Sequence, residues 1–135
     1  MSPVVLIVED DTFLARLLTA KLSQEPGITL ELARDGEEAL RLIRTHQPSL
    51  IVLDLMIPKK SGFEVLRELR QDQKTASLPV LIISNLGSQE DIQQARELGV
   101  VDYFVKTTVT VSELIEKIRG ELEKRLGPPH STDSE

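Results

Sequence analysis

Leu50-Ile51-Val52-Leu53-Asp54-Leu55-Met56-Ile57-Pro58 sets four apolar residues in a row, then an acid, then a short apolar stretch closed by proline. A continuous apolar run suits a strand covered on both faces, the habit of parallel sheets flanked by helices. Four further short apolar runs lie to either side: Pro3 to Val8, Ile28 to Ala33, Pro79 to Ile83 and Val101 to Val105. Only Ile28-Thr-Leu-Glu-Leu-Ala33 alternates, as expected of an edge strand with one wetter face. Between the runs the apolar spacing becomes helical. Leu14, Leu17, Leu18 and Leu22 form one stripe, Ile92 and Ala95 begin another, and Leu114, Ile118, Leu122 and Leu126 form the last.

Capping chemistry places the helix starts. Asp35-x-x-Glu38, Ser61-x-x-Glu64 and Thr110-x-x-Glu113 match the capping box, and Ser88-x-x-Asp91 is a weaker relative. Gly27, Gly99 and Gly127 are the expected helix stops, and Pro48, Pro58 and Pro79 fall in connections or at a strand start. A strand–helix unit repeated five times, joined by short right-handed crossovers, predicts an α/β fold. The expected form is a doubly wound five-stranded parallel sheet, (βα)5 and flavodoxin-like, with the common strand order 2-1-3-4-5. One domain is expected over residues 1–126. Residues 127–135, rich in Pro, Ser and acids, read as a flexible tail or linker stub.

Composition narrows the class. The 135 residues are 40% hydrophobic but only 3% aromatic, so the core must be aliphatic. A net charge of −6 argues against a direct grip on nucleic acid, which needs a surplus of Lys and Arg. No cysteine is present, which removes disulfides, thiol nucleophiles and thiolate metal sites. No apolar run is long enough for a bilayer, so no membrane partner and a cytoplasmic setting are expected.

In such a sheet ligands bind beyond the carboxyl ends of the strands. Glu9, Asp10 and Asp11 follow strand 1, Asp54 ends strand 3, Ser84 and Asn85 end strand 4, and Lys106 ends strand 5. Crowded carboxylates call for a cation, and an oxygen-only donor set selects a hard one, Mg²⁺ or Mn²⁺. Such an arrangement is suited to receiving a phosphoryl group. Asp54 attacks phosphorus in line, the metal and Lys106 neutralise phosphoryl oxygens, and Ser84 donates a hydrogen bond. Taken singly, each residue has a plainer reading: Asp11 as a helix-start charge, Ser84 as a strand end, Lys106 as a surface lysine. Four suitable groups at four strand ends on one rim outweigh those readings together.

Val8-Glu9-Asp10-Asp11, Ile51-Val-Leu-Asp54-Leu-Met-Ile-Pro58, Ser84 closing a Leu-Ile-Ile run, and Asp102-Tyr103-Phe-Val-Lys106 resemble the receiver domains of two-component response regulators. The resemblance runs from about Val4 to Leu126. It implies that Asp54 is the phosphoacceptor, Asp10 a direct metal ligand and Glu9 a ligand through water. It further implies that Met56 offers its backbone carbonyl to the metal and that Lys106 pairs with the phosphoryl group. Ser84 would turn inward to that group and Tyr103 would change rotamer with it, so that the helix 4–strand 5–helix 5 face switches. Read alone, Tyr103 is a half-buried strand residue with a wet hydroxyl. The implied partners are a sensor histidine kinase or a phosphotransfer protein on one side and an unidentified protein effector on the other. Oligomeric state, including any dimer, is not specified.

Two departures stand out. Thr107 follows Lys106 where the family usually has proline, so a trans bond and a reshaped connection are expected. Asn85 occupies a position where the family favours a small residue. Among rival readings, a phosphohydrolase resembling the haloacid dehalogenase class needs an acid two residues after the nucleophile, where Met56 stands. The chain is therefore expected not to be an enzyme, with Asp54 confined to phosphotransfer and slow self-dephosphorylation. A nucleotide-binding protein needs a Gly-rich turn after strand 1, where Glu9-Asp10-Asp11-Thr12 stands instead. A receiver-like module without phosphorylation should lack an acceptor, acid or lysine, and none is missing.

Overall fold

A computed structural model describes residues 3–126. The elements alternate as β1 (Val4–Val8), α1 (Thr12–Leu22), β2 (Thr29–Ala33), α2 (Gly36–His46), β3 (Leu50–Leu53), α3 (Gly62–Gln71), β4 (Val80–Ser84), α4 (Gln89–Glu97), β5 (Asp102–Val105) and α5 (Val111–Leu126). All strand pairs are parallel and the order is β2-β1-β3-β4-β5, so β3 and its terminal acid lie mid-sheet and β2 lies at an edge. Alternate strand residues feed two cores. Leu6, Val8, Ile51, Leu53 and Ile82 pack with α2, α3 and Ala95 of α4, while Val5, Ile7, Val52, Leu81 and Ile83 pack with α1 and α5. Residues 127–135, expected as a tail, lie outside the described residues.

Capping follows the sequence with local corrections. Ser61 and Glu64 form a complete capping box on α3, and Thr110 and Glu113 exchange the same pair of bonds ahead of α5. Asp35 caps α2 by accepting from Glu38 N–H, but the Glu38 carboxylate reaches Arg34 N–H instead of Asp35 N–H. Asp11 caps α1, accepting from the amides of Phe13 and Leu14. Gly99, at φ 77°, stops α4 as expected. Gly27 does not stop α1, which ends at Leu22 with Ser23 as its cap; at φ 80° the glycine turns the chain toward β2. Gln47 ends α2 in the left-handed region at φ 48°, a stop that no glycine announced.

Candidate functional site

The carboxyl ends of β1 and β3 bring three acids together. Asp54 N–H donates to Val8 O at 3.0 Å and Glu9 N–H to Ala33 O at 2.9 Å, extending the strand ladder to the acids themselves. Oxygen atoms of Glu9, Asp10 and Asp54 lie within 4.8 Å of one another, with Glu9 and Asp54 buried and Asp10 exposed. From β5, Lys106 Nζ reaches Asp54 Oδ2 at 2.7 Å and donates to Glu9 Oε2 at 3.1 Å. The backbone helps: Met56 N–H donates to Asp54 Oδ1 at 2.9 Å, and Asp11 N–H to Glu9 Oε2 at 3.0 Å.

One ammonium among three carboxylates leaves the cluster short of positive charge. Burial pushes the Glu9 carboxyl up to about 7, helped by the charge of Asp54 and opposed by Asp11 N–H and Lys106. Lys106 is pulled down by burial, but its hydrogen bonds to Asp54 and Glu9 win and it ends raised. Glu9 Oε1 is buried and accepts no hydrogen bond. Lys106 Nζ lies 2.9 Å from it, yet the ammonium's bond is directed to Oε2, so Oε1 has charge beside it and no donor. A hard cation fits this oxygen-only set, because it adds the missing charge and is bound by carboxylate oxygens.

Ser84 and Tyr103 meet at one residue, Leu86. Ser84 Oγ, fully buried, accepts from Leu86 N–H at 3.2 Å, while the Tyr103 hydroxyl donates to Leu86 O. Tyr103 is itself buried, not half-buried, and its phenol is pushed up to about 12 by burial and by the charges of Asp91 and Asp54. Met56, 53% exposed, keeps its side chain out of the cluster. Asn85 is exposed, as is Thr107. The described chain has no cis peptide bond, and the Val105 carbonyl accepts from the amides of Thr108 and Val109, which turns the chain just past Lys106.

Two glycines escaped the sequence reading. A Cβ on Gly62 would sit 2.5 Å from both Asp54 O and Leu55 Cα, and a Cβ on Gly36 would sit 2.1 Å from Lys60 O. Both lie in the first turn of a helix, behind a good N-cap. Glycine there lowers helix propensity for no capping benefit, which was the available signal that a backbone packs close by.

The structure thus presents a five-stranded parallel α/β sheet with an acid–lysine cluster at the carboxyl ends of its strands. Residues 5–119 match the family model of the response regulator receiver domain. The chain belongs to that family. It is 38% identical over 130 residues to the "Probable transcriptional regulator ycf27" of Cyanophora paradoxa, covering 96% of this chain and 52% of that protein. It is 36% identical over 125 residues to "Protein-glutamate methylesterase/protein-glutamine glutaminase 1" of Oleidesulfovibrio alaskensis, covering 90% of this chain and 33% of that protein. Among solved structures, the receiver domain of the Francisella response regulator 1452 superposes with a TM-score of 0.82 at 33% identity, covering 92% of this chain and 99% of that one. The chain thus spans about half, or a third, of the length of the curated relatives it matches.

Receiver domains of this family are phosphorylation-activated switches of two-component signalling, binding Mg²⁺ at an acidic pocket and meeting histidine kinases or phosphotransfer proteins. The expectation that the chain is not an enzyme is corrected by the methylesterase relatives, three of which match over about a third of their length. The missing acid at Met56 bears only on chemistry at Asp54; it does not separate a free-standing switch from one that forms part of an enzyme. Among the described residues, no helix is long and apolar enough to cross a membrane.

Proposed function

We propose that this chain accepts a phosphoryl group on Asp54 and thereby shifts its α4–β5–α5 face toward a form that a protein effector reads. The observation that carries the reading is the buried Asp54 carboxylate at the end of the central strand, 2.7 Å from Lys106 Nζ and on one rim with Glu9 and Asp10. Asp10, Asp54 and the Met56 carbonyl would hold Mg²⁺ or Mn²⁺, with Glu9 acting through water. Such an ion, when bound, would neutralise charge on the phosphoryl oxygens.

The Asp54 carboxylate attacks phosphorus in line. With a phosphohistidine donor from a sensor kinase or phosphotransfer protein, the P–N bond breaks, and the imidazole leaves with the electron pair and takes up a proton. Lys106 then exchanges its contact with Asp54 for one with a phosphoryl oxygen. Ser84 turns its hydroxyl to the same group and gives up Leu86 N–H. Because the Tyr103 hydroxyl is held by the other end of the Leu86 residue, the two side chains move as a linked pair. Residues 1–126 are read as the switching unit and 127–135 as a tail or linker, and the lack of cysteine fits a cytoplasmic setting.

Incubation with a small phosphodonor and Mg²⁺ is expected to add about 80 Da to the intact protein, the mass of one phosphoryl group. The adduct should vanish in Asp54→Asn. No adduct on the wild type, or an undiminished one on the variant, would overturn the proposal.

A further inference from the structure

Helix α4 is fastened unequally at its two ends. Of its residues only Ala95 is buried, compared with four buried residues in each of α2 and α3. Its N-terminal end starts at Ser88, whose hydroxyl accepts from Asp91 N–H, two residues beyond Leu86, whose N–H and C=O hold Ser84 and Tyr103. The hydrogen bonds of that first turn are short-range, and its packing on the core is the partly buried Ile92.

The C-terminal end is held by Arg70, which reaches across from the last turn of α3. Its Nε donates to the carbonyl of Leu98, the α4 cap, at 2.7 Å, and Nη2 donates to Gly99 O at 3.3 Å. Nη1 donates to Leu78 O at 2.8 Å and to Ala76 O at 3.0 Å in the connection leading to β4. A planar guanidinium with donors along two edges can tie both segments at once; an ammonium cannot span them. The charge also faces the negative end of the α4 dipole, where a cation is favoured. The helix thus ends on a capping group from another element, whose four hydrogen bonds all go to backbone carbonyls.

We propose that Arg70 is the fulcrum of the switch: α4 swings about a C-terminal end clamped to α3, and its N-terminal end follows the backbone of Leu86. Arg70 is a positioning residue, far from the phosphoryl chemistry. The inference rests on the reading of Asp54 as acceptor, and it adds the direction and the pivot of the motion.

Amide exchange resolved by residue tests it on the whole chain with Mg²⁺, with and without beryllofluoride. Capture of the mimic is followed separately at the Asp54 and Met56 amides. In the wild type, the mimic should change exchange at least about threefold at Asp91 and Ile92 and leave Leu98 and Gly99 within about twofold, a difference set by which amides lie near the clamp. Arg70→Met without the mimic should speed exchange at Leu98 and Gly99 about tenfold or more, the scale of one lost charge-assisted hydrogen bond, while β1 amides change less. With the mimic, that variant should respond along all of α4. Arg70→Lys, which keeps the charge and loses the fork, should fall between the two. Capture of the mimic with equal responses at both ends of wild-type α4 overturns the fulcrum. So does an Arg70→Met profile that rises equally in α4 and β1. No capture at Asp54 would instead overturn the acceptor reading, and the mimic-free comparison of Arg70→Met with wild type would still decide whether the clamp exists.

Discussion

Gly62→Ala sets two effects of opposite sign against each other at the acceptor loop. Alanine is favoured over glycine in a helix by up to about 1 kcal/mol, and by less in the first turn, where Gly62 stands. Against this, the new Cβ would lie 2.5 Å from Asp54 O, 2.5 Å from Leu55 Cα and 3.1 Å from Asp54 C. All three are backbone atoms, so no rotamer change relieves the overlap; either the start of α3 or the Asp54–Leu55 strand end must move. Gly62 N–H donates to Leu55 O at 3.0 Å, so moving either part also strains that bond. Overpacking of this kind costs about 1–3 kcal/mol, and the clash wins. For a domain of this size the melting midpoint should fall by roughly 4 to 10 °C. Gly120→Ala is the control, because a Cβ there meets nothing within 4 Å; it should stabilise by about 0.5–1 kcal/mol. The same displacement shifts the acceptor carboxylate, so phosphoryl adduct formation on Gly62→Ala should slow by about tenfold or more, since a misplacement of about 1 Å can cost about a hundredfold. Urea denaturation and timed mass spectrometry measure the two effects. A Gly62→Ala chain as stable as wild type, with unchanged adduct kinetics, refutes the close-packing argument.

Other perturbations follow from the same geometry. Lys106→Met removes the ammonium shared by Asp54 and Glu9 and should destabilise metal-free protein by about 3 kcal/mol, read by urea midpoint, with much of the loss recovered in excess Mg²⁺. At ten times its Kd, Mg²⁺ should stabilise the wild type by about 1.4 kcal/mol, and Asp10→Asn should lose most of that gain; equal gains in both proteins would remove Asp10 from the metal's ligands. Buried Glu121 has its carboxyl raised by burial but lowered more by Lys117 and Lys124, and ends below its ordinary value of 4.5. A depressed folded value means the stabilisation is present above 4.5 and is lost as pH falls through the folded value. Denaturation midpoints of wild type and Glu121→Gln should therefore converge below pH 4.5, and parallel curves would show that Glu121 is not the group responsible.

The fold was legible because its inner strands β1 and β3 carry no polar residue and β4 carries one, at its end. Leu50 to Leu53 cannot face water on either side, and that requirement forces helices onto both faces. The capping residues Asp35, Ser61, Ser88 and Thr110 were legible for a local reason: each satisfies an amide two or three residues away. What depended on distant backbone was not legible. Gly36 is fixed by Lys60 O, 24 residues on, and Gly62 by Asp54 O, eight residues back across a loop whose path spacing does not reveal. Gln47 accepts a left-handed conformation that composition alone would have assigned to glycine or asparagine. Arg70 looked like any arginine late in an amphipathic helix; its carbonyl partners at Leu98 and Gly99 are 28 and 29 residues away. At the site, the acids and the lysine could be placed by topology. The rotamer of Ser84 and the burial of Tyr103 could not, because they depend on where the backbone of Leu86 lies.

The thin packing of α4 also explains why a phosphoryl group at the end of β3 should move that helix sooner than α2 or α3. A switch has only a few kcal/mol of differential interaction with which to shift an equilibrium. Shifting α2 or α3 would disturb Leu40 and Ile43, or Val65, Leu66 and Leu69, and each such side chain holds about 1.5–3 kcal/mol of burial. Either movement would exhaust what the site can supply. Displacing α4 disturbs one buried methyl, at Ala95, and the partly buried Ile92 and Leu98. The clamp at Arg70 lowers the demand further, since a pivoting helix leaves its fixed end in place and need open only the end near Ser88. On this reckoning the response is directed by where the core is thinnest, and no continuous chain of polar contacts from Asp54 outward is required beyond the backbone of Leu86.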